Sequence, residues 1–480
     1  MIGLRHGTRV AAPELLQEKL KAGDTPVMMG CWSDIRRIGA DGHDLLLPNL
    51  PAEHAEMLPF APSAGWGSTP LPARHRECDA PAGTEGQQMT KEAEITAWLA
   101  GQKDAMLAEL AEMVNTDGGS YDKAGVDRTG EQVKRFLATH GIHTETVPGT
   151  KHGDCIRAFV EGGHAIGTGN QRSNIVLMGH RDTVFPKGEP ERRPFRIEGH
   201  LAFGPGVSDM KSGIVMNMFV LAAFQTFGGA PGPLVGLFTG DEEIGSPEGR
   251  AVIEAEARNA RVVFNSEPGR ASGNVVKARK GGVFSVVDIE GKAAHSGGNF
   301  EAGISAIGEA AHKIVAIHAL TDLPRGITLN VGLIQGGQSV NTTAPACQFQ
   351  IDLRYVEPDQ RDEIMGKIHD IVARSYVPGS RARLAVKGEF LPLNPTPEST
   401  RLFSVYQASA ADSGLKVEAE FTGGCADSGF TAAMGAPTLC GVGPVGGKAH
   451  SPEEYLEVDT FVPRAQAMAR AILRLESAGI

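Results

Sequence analysis

Cysteine is scarce in this sequence, and its distribution excludes two kinds of stabilised fold. The chain of 480 residues has six cysteines and no Cys-x-x-Cys pair. Neither a disulfide framework nor a thiolate zinc knuckle is therefore indicated. We expect free, buried thiols in a reducing compartment at the six positions, which are Cys31, Cys78, Cys155, Cys347, Cys425 and Cys440.

Long apolar runs, basic clusters and a leader segment are also missing. No run approaches the roughly 20 apolar residues that a membrane span needs, and the N-terminus lacks a basic segment followed by an apolar one. The formal net charge of -11 argues against a general nucleic-acid-binding surface. There is no Walker-type loop. The sequence therefore predicts a cytoplasmic protein with neither a membrane nor a nucleic-acid partner.

Length and composition are those of a globular protein with more than one domain. Hydrophobic residues make up 41% and charged residues 21% of the chain, and such a length suggests two or three domains. Residues 1–88 are rich in Pro and Gly without a sustained period, so they form an N-terminal extension of uncertain order. The remainder is predicted to divide into a larger domain at 89–280 and 392–480 and an inserted domain at 281–391.

Apolar runs that end in polar residues alternate with helical patterns after residue 92. The runs "NIVLMGH" (174–180), "PLVGLFTGDEE" (233–243) and "ARVVFNSE" (260–267) have the continuous hydrophobicity of strands buried on both faces. Helical patterns at 209–226 and 247–259 separate them. This alternation predicts an α/β domain with a mostly parallel sheet, and such sheets place their sites at the carboxyl ends of strands.

Upstream of these runs, the apolar residues favour helices. The first predicted helix has a single apolar face, made of Ile95, Leu99, Met106, Leu110 and Val114. A second helix is predicted near 126–140, and Gly141 is expected to end it.

Between residues 281 and 391 the order of elements changes. The pattern predicts strand 283–290, helix 303–318, strand 327–334, strand 346–355, helix 358–375 and strand 382–388. This βαββαβ order is ferredoxin-like and can close on itself as a separate domain. Helices near 398–413 and 460–477 resume the α/β pattern, so the small domain is predicted to be inserted into the larger one.

Five short runs carry residues that could bind metal ions. They are "LMGHRDTV" with His180 and Asp182, "GPGVSDMKSG" with Asp209, "FTGDEEIGS" with Asp241, Glu242 and Glu243, "VVFNSEPG" with Glu267, and "GGKAHSPEEY" with His450. Two imidazoles and several carboxylates are a set suited to a pair of divalent metals such as zinc. Together the runs predict a metal-dependent hydrolase.

Each run taken alone has a structural alternative. A His-x-Asp pair is far more often a satisfied histidine at a strand end, and Asp209 is well placed to cap the helix that follows it. Glu267 and His450 are individually typical of surface loops. The three consecutive acids at 241–243 repel one another, and a cation would relieve that repulsion. Because the strand before them is so apolar, a functional site and a solvated turn are about equally favoured.

The inserted domain carries a different kind of polar residue. His295 lies in "GKAAHSGG", Asn341 in "GGQSVNTTAP" and Arg354 in "DLRY". They offer a hydrogen-bond donor, an amide and a fixed cation, which suit an oxyanion and a substrate carboxylate. Taken alone, a residue of each of these kinds more often has a structural role than a functional one.

Taken in order and at their spacing, these runs resemble the dinuclear zinc aminoacylase and carboxypeptidase superfamily. The chain is most similar to its bacterial folate-cleaving glutamate carboxypeptidases, with acetylornithine deacetylases and succinyl-diaminopimelate desuccinylases as relatives. The resemblance covers residues from about 92 to 480. It implies a zinc exopeptidase-like catalytic domain, an inserted ferredoxin-like dimerisation domain, two zinc ions per chain, for which cobalt can substitute, and a homodimer.

The resemblance also implies a role for each residue of the five runs. His180 would bind one zinc ion and His450 the other, with Asp209 bridging them. Glu243 and Glu267 would each complete one site. In addition, Glu242 would be the general base that activates a metal-bound hydroxide, and Asp182 would orient His180.

The same resemblance assigns the substrate-facing residues. His295 would reach the neighbouring subunit's site to stabilise the oxyanion, while Asn341 and Arg354 would hold a substrate carboxylate. Gly423 and Gly424 match a substrate loop in "GGCADSGFTAA". The implied reaction is cleavage of an amide or peptide bond next to a free carboxylate in a small molecule or peptide.

Three departures leave the metal set intact and the substrate open. Glu389 in "KGEFLPLN" stands near where the folate-cleaving relatives carry an arginine, Cys425 stands where Gly is commoner, and Met210 stands where some relatives carry an acid. The released amino acid or acyl group, and the choice between peptidase and deacylase, are therefore not determined. A non-peptidase amidase or, less well supported, a non-catalytic binding protein on the same scaffold are the alternatives.

Overall fold

The computed structural model describes residues 2–6, 9–11, 25–28, 90–162 and 172–480. Its backbone contacts divide the chain into two compact units, residues 1–85 and 86–480. In the first unit, an antiparallel sheet has the order β2-β1-β3, with β1 (Ile2–His6), β2 (Arg9–Ala11) and β3 (Thr25–Met28). The remainder of the extension predicted at 1–88 lies outside the described residues.

The second unit alternates strands and helices along most of its length. Its strands are β4 (His143–Val147), β5 (Cys155–Val160), β6 (Asn174–His180), β7 (Arg196–Glu198), β8 (Leu201–Phe203), β9 (Leu234–Thr239), β10 (Ala260–Asn265), β11 (Val275–Arg279), β12 (Gly281–Glu290), β13 (Thr328–Gly336), β14 (Ala346–Tyr355), β15 (Arg381–Phe390), β16 (Ala419–Thr422), β17 (Thr438–Cys440), β18 (Gly446–Gly447) and β19 (Tyr455–Glu457). Its helices are α1 (Lys91–Ala100), α2 (Lys103–Val114), α3 (Lys123–Thr139), α4 (Glu189–Arg192), α5 (Ser212–Thr226), α6 (Gly249–Asn259), α7 (Ala306–His318), α8 (Pro358–Ala373), α9 (Pro397–Ala411), α10 (Ser428–Ala433) and α11 (Phe461–Arg474).

The first predicted helix of this unit is two helices. The five residues predicted for its apolar face are all fully buried, but α1 ends at Ala100 and α2 begins at Lys103. Gly101 caps α1 by donating its N–H to the carbonyl oxygens of Ala97 and Trp98, and glycine is a poor helix former. The prediction of the buried face is confirmed, whereas that of one continuous helix is wrong.

An eight-stranded sheet forms the centre of the second unit. Its order is β16-β11-β17-β10-β6-β9-β5-β4, and its four central strands, β17, β10, β6 and β9, are mutually parallel. β6 has the predicted limits, and β9 ends at Thr239, before the three acids leave the sheet. The predicted α/β class with a mostly parallel sheet is confirmed.

Alternate residues of β6 pack into separate cores on the two faces of this sheet. Ile175 and Leu177 belong to the larger core, and Val176 and Met178 belong to the opposite one. Helices cover both faces, as a parallel sheet requires. The segment Val207–Thr226, which includes α5, has the length and hydropathy of a membrane span, but 94% of it is buried inside the protein. It is the central helix of the larger core.

A second sheet is antiparallel throughout and has the order β13-β14-β12-β15. α7 and α8 pack against it around a separate hydrophobic core. The elements follow one another as βαββαβ between Gly281 and Phe390, which confirms the predicted order. The boundary of the inserted domain at 281–391 stays a prediction.

A small antiparallel sheet, β18-β19-β8-β7, joins two distant parts of the chain. β8 pairs with β19, so that Leu201 faces Glu457 and Phe203 faces Tyr455. Asp209 follows β8 in sequence, and His450 lies in the loop between β18 and β19. This sheet therefore brings the C-terminal histidine to the ends of the central strands.

Candidate metal centre

The predicted metal-binding side chains meet at the carboxyl ends of three adjacent parallel strands. His180 is the last residue of β6, Glu242 and Glu243 form a 3-10 turn after β9, and Glu267 follows β10 by two residues. Because β9, β6 and β10 are neighbours and parallel, their carboxyl ends lie at one edge of the sheet. Asp209 reaches the same edge from the segment before α5.

Asp209 stands between the two histidines. Its Oδ1 lies 3.3 Å from His180 Nε2, and its Oδ2 lies 3.3 Å from His450 Nε2. His450 Nε2 is also 3.1 Å from Glu243 Oε2, while His180 Nε2 is 3.8 Å from a carboxylate oxygen of both Glu242 and Glu267. A carboxylate with one oxygen toward each histidine could accept a cation at each oxygen.

Two overlapping groups of ligand atoms could each hold a metal ion. Within each group all the ligand atoms lie within 4.8 Å of one another; the groups are His180 with Asp209 and Glu243, and His180 with Glu242 and Glu267. His180 Nε2, Glu243 Oε1 and Glu267 Oε1 are buried without a hydrogen-bond partner among the described residues. Buried polar atoms are rarely left unpaired, and divalent cations would pair all three. The donor set therefore fits metal ions.

The pKa values of the cluster show how strongly its charges need compensation. Burial raises the pKa of Glu242 well above its ordinary range and that of Glu243 to about 7. Hydrogen bonds to Asp209 and Glu243 raise the pKa of His450 to about 10. The crowded, buried carboxylates therefore require a compensating positive charge. A divalent cation would supply that charge and would reverse these shifts.

Asp182 contacts His180 and the backbone of Glu242 and Glu243. Its backbone oxygen lies 3.0 Å from His180 Nδ1, and its carboxylate accepts the N–H groups of Glu242 and Glu243 at 3.1 Å each. The hydroxyl of Ser120 donates to the same carboxylate at 2.7 Å. Such partners set the tautomer and direction of a metal-binding imidazole. Asp182 therefore contacts His180 and both glutamates, and the contacts to the glutamates were not indicated by the sequence.

Glu454 positions the Asp209 loop, and the sequence reasoning missed it. Its fully buried carboxylate accepts three backbone N–H groups, from Gly206 at 3.1 Å and from Ser208 and Asp209 at 2.9 Å each. Burial raises its pKa to about 7. The available signal was the acidic pair at 453–454, which follows His450 closely in the run "HSPEEY".

Arg279 is a second residue that the sequence reasoning missed. It ends β11, is only 6% exposed, and lines a cavity of about 520 Å³ together with Asp209, Glu242 and Glu267. Its Nη1 donates to the carbonyl oxygens of Gly424 and Cys425 at 3.3 and 3.2 Å. A buried guanidinium beside a metal-binding cluster is a ready partner for an anionic ligand group.

Arg354 and Gly424 also line this cavity, and their role as substrate residues stays a prediction. Arg354 donates from Nε to Asp352 at 2.7 Å and from Nη1 to Cys425 Sγ at 2.6 Å. Gly423 is not part of the lining, and a Cβ atom there would meet open space. The charge of Glu389, which departs from the family pattern, is taken up by Arg361 at 2.8 and 3.1 Å.

His295 and Asn341 do not join the cluster in this chain. Both are exposed and neither lines the cavity. They lie at one end of the second sheet, where His295 pairs with Thr342 in an isolated bridge. His295 Nδ1 accepts the N–H groups of Gly297 and Gly298 at 3.2 and 3.0 Å. The role predicted for both residues stays a prediction.

The chain is similar to known metal-dependent hydrolases in sequence and in fold. Residues 176–474 match the model of peptidase family M20/M25/M40. The chain is 28% identical to carboxypeptidase G2 of Pseudomonas over 381 residues, which cover 78% of this chain and 90% of that protein. It is 25% identical to an acetylornithine deacetylase of Salmonella arizonae, over 75% of this chain and 95% of that protein.

Solved structures show the same fold. An M20 family metallo-carboxypeptidase from Sulfolobus solfataricus superposes with a TM-score of 0.62 at 17% identity, over 77% of this chain and 98% of its own. A dipeptidase from Saccharomyces cerevisiae superposes with a TM-score of 0.63 at 15% identity, over 81% of this chain and 99% of its own. The superfamily resemblance predicted from the five runs is confirmed by these matches.

Proposed function

We propose, from the premise that this chain belongs to peptidase family M20/M25/M40 and is a metal-dependent hydrolase, that it cleaves an amide bond next to a free carboxylate. The substrate would be an N-acyl amino acid or a small peptide that loses its C-terminal residue. The observation that carries this proposal is the single cavity in which Arg279 and Arg354 stand beside the metal-binding cluster. A guanidinium is the side chain best suited to bind a carboxylate.

The residues of the cluster supply the parts of a hydrolytic reaction. Zinc is the metal we propose, held by His180, Asp209, Glu243, Glu267 and His450. The chemistry that two bound zinc ions supply at such a set is Lewis acidity and a lower pKa for a water molecule.

Glu242 is the proposed general base. Its backbone is held by Asp182 at 3.1 Å, and its side chain lines the cavity. The carboxylate would take one proton from water while the water oxygen adds to the carbonyl carbon, and would return that proton to nitrogen as the C–N bond breaks. Arg279 and Arg354 would hold the carboxylate of the released amino acid throughout.

The second sheet supports the proposal of a homodimer. β13 is an edge strand, and Leu333 and Ile334 on it are 62% and 56% exposed. Val315 on α7 and Val340 beside Asn341 are also exposed. An exposed apolar edge is a surface that pairs readily with another chain. A partner docked there would bring its own His295 toward the neighbouring metal cluster.

The free thiols support a cytoplasmic location. Within the described part of the chain, Cys155, Cys347 and Cys440 are buried and unpaired, and Cys425 is half-buried and unpaired. Proteins of oxidising compartments usually pair such residues. We therefore keep the prediction of a reducing, cytoplasmic environment as part of the proposal.

Matched substrates test the proposed reaction. Purified protein would be stripped of metal, reloaded with zinc or cobalt, and assayed on N-acetyl amino acids, dipeptides and their C-terminal amides. We expect metal-dependent release of the free amino acid from the carboxylate forms and at least ~10-fold lower kcat/KM for the amides, because an amide lacks the negative charge that strengthens a hydrogen bond from a guanidinium. Equal rates for acids and amides would contradict the assignment of the arginines, and dipeptides against N-acetyl compounds would separate peptidase from deacylase.

A further inference from the structure

A second cavity, of about 610 Å³, meets the metal centre at Glu243. Its apolar lining comes from Tyr121, Val184, Phe185, Pro186 and Ile244, and we refer to it as the Tyr121 cavity. Glu243 also lines the cavity that contains Arg279 and Arg354. One metal-binding side chain therefore borders two cavities of different chemistry.

The walls of the Tyr121 cavity are held in place by backbone contacts between two loops. Ser120 donates its N–H to the carbonyl oxygen of Thr183 at 3.2 Å, and Thr183 donates its own to Gly118 at 2.8 Å. A Cβ atom at Gly119 would lie 2.5 Å from the carbonyl oxygen of Phe185, so the loops touch where only glycine fits. Small-molecule sites are usually preformed in this way.

Ser120 and Lys187, two polar residues that line the Tyr121 cavity, each contact a neighbouring carboxylate. The hydroxyl of Ser120 donates to Asp182, and Lys187 Nζ lies 3.4 Å from Asp122 Oδ2. The exposed part of the lining includes two apolar residues, Tyr121, which is 83% exposed, and Val184, which is 43% exposed. Exposed apolar side chains clustered beside a reactive centre indicate an apolar ligand group.

We propose that the Tyr121 cavity is the acyl subsite of the enzyme and accepts an aromatic or bulky aliphatic acyl group. The assignment rests on the proposed function, since it needs an amide to lie across the metal centre. With the carboxylate of that substrate at Arg279 and Arg354, the acyl group on the other side of the scissile bond extends past Glu243. Hydrolysis adds water across the C–N bond, so that an apolar carboxylic acid forms in the Tyr121 cavity and a free amino acid in the arginine cavity.

Paired acyl groups on one amino acid test the subsite. For the zinc-loaded enzyme we expect kcat/KM for the N-benzoyl derivative to exceed that for the N-acetyl derivative by at least ~10-fold, the discrimination that hydrophobic pockets reach. Tyr121→Ala and Val184→Asp should lower this ratio by at least ~5-fold. Tyr121→Phe should keep the ratio, because the ring and not the hydroxyl would contact the acyl group. The control is Leu323→Ala, in the loop between α7 and β13, which removes a side chain that is 71% exposed. It should leave kcat/KM unchanged for both the N-benzoyl and the N-acetyl substrate.

The outcomes separate this subsite from the proposed function. Hydrolysis of both substrates with a ratio near one, or a ratio untouched by Tyr121→Ala, overturns the subsite and leaves the function standing. If neither the N-benzoyl nor the N-acetyl substrate is hydrolysed, both the subsite and the proposed function are overturned. A Tyr121→Ala variant that changes the molar mass in light scattering but not the ratio would show that a second copy of the chain covers this cavity, which also overturns the assignment.

Discussion

The metal cluster and the exposed end of the second sheet are built in opposite ways. Most of the cluster side chains stand at the ends of buried strands, and Asp182 and Glu454 hold the nearby backbone through five N–H groups. His295 and Asn341 are exposed, and the hydrogen bonds of the His295 ring within the described residues go to neighbouring glycines. The first region is preorganised by its own chain, as catalytic constellations require, whereas the second offers groups that have no target in the same chain's cavity.

This difference separates two kinds of evidence for function. The cluster can be judged from one chain, because its unpaired ligand atoms and short distances already fit metal ions. His295 does not line the cavity of its own chain, so the role predicted for it requires a second chain. The completeness of the cluster and the contribution of the second sheet can therefore be tested separately.

The largest effect is expected from loss of a metal ligand. His450→Ala should lower the bound zinc from two ions toward one per chain and bring turnover below detection, because the proposed reaction uses both ions. Metal analysis by mass spectrometry alongside an activity assay measures both. His369→Ala, at an exposed position on α8, is the matched control. Activity of the wild type after exhaustive chelation would refute the dinuclear centre.

The second effect separates the base from the metal ligands. Glu242→Gln should keep both zinc ions and lower kcat by at least ~100-fold, within the range of general acid–base catalysis. Glu191→Gln, on the exposed surface of α4, controls for the substitution itself. Near-normal turnover in Glu242→Gln would remove that residue from the role, and loss of zinc would make it a ligand instead.

A smaller effect is expected from the residue that holds the Asp209 loop. Glu454→Gln replaces one acceptor oxygen with a donor, so at least one of the three N–H groups loses its partner. Zinc affinity should fall about 10-fold, at the lower end for residues that orient metal ligands, and excess zinc should restore turnover. Competition with a chromogenic chelator measures the affinity. An unchanged affinity would mean that the loop keeps its shape without Glu454.

Much of the cluster could be predicted from sequence because its residues mark strand ends. His180, Glu242, Glu243 and Glu267 each close or follow an apolar run, and the parallel order of the strands brings those ends together. Glu454 and Arg279 could not be predicted in the same way, because their roles depend on tertiary hydrogen bonds that leave no periodic signal. The break at Gly101 was also missed, since the apolar spacing continues across both helices.

The smallest deficit is expected from a mixed dimer, and it decides whether the second sheet completes the site. His295→Ala should be inactive because each site lacks the partner's histidine, and Glu242→Ala should be inactive through its own base. In a dimer of the two variants, one site has Glu242 intact and receives His295 from the Glu242→Ala chain. That site is whole, so the mixed species should recover up to roughly half of the wild-type activity, because distant independent defects do not compound. Co-expression with two affinity tags isolates the species, and each variant purified with both tags is the control. If the chains pair and the mixed dimer stays inactive, His295 acts within its own subunit or has no part in the reaction.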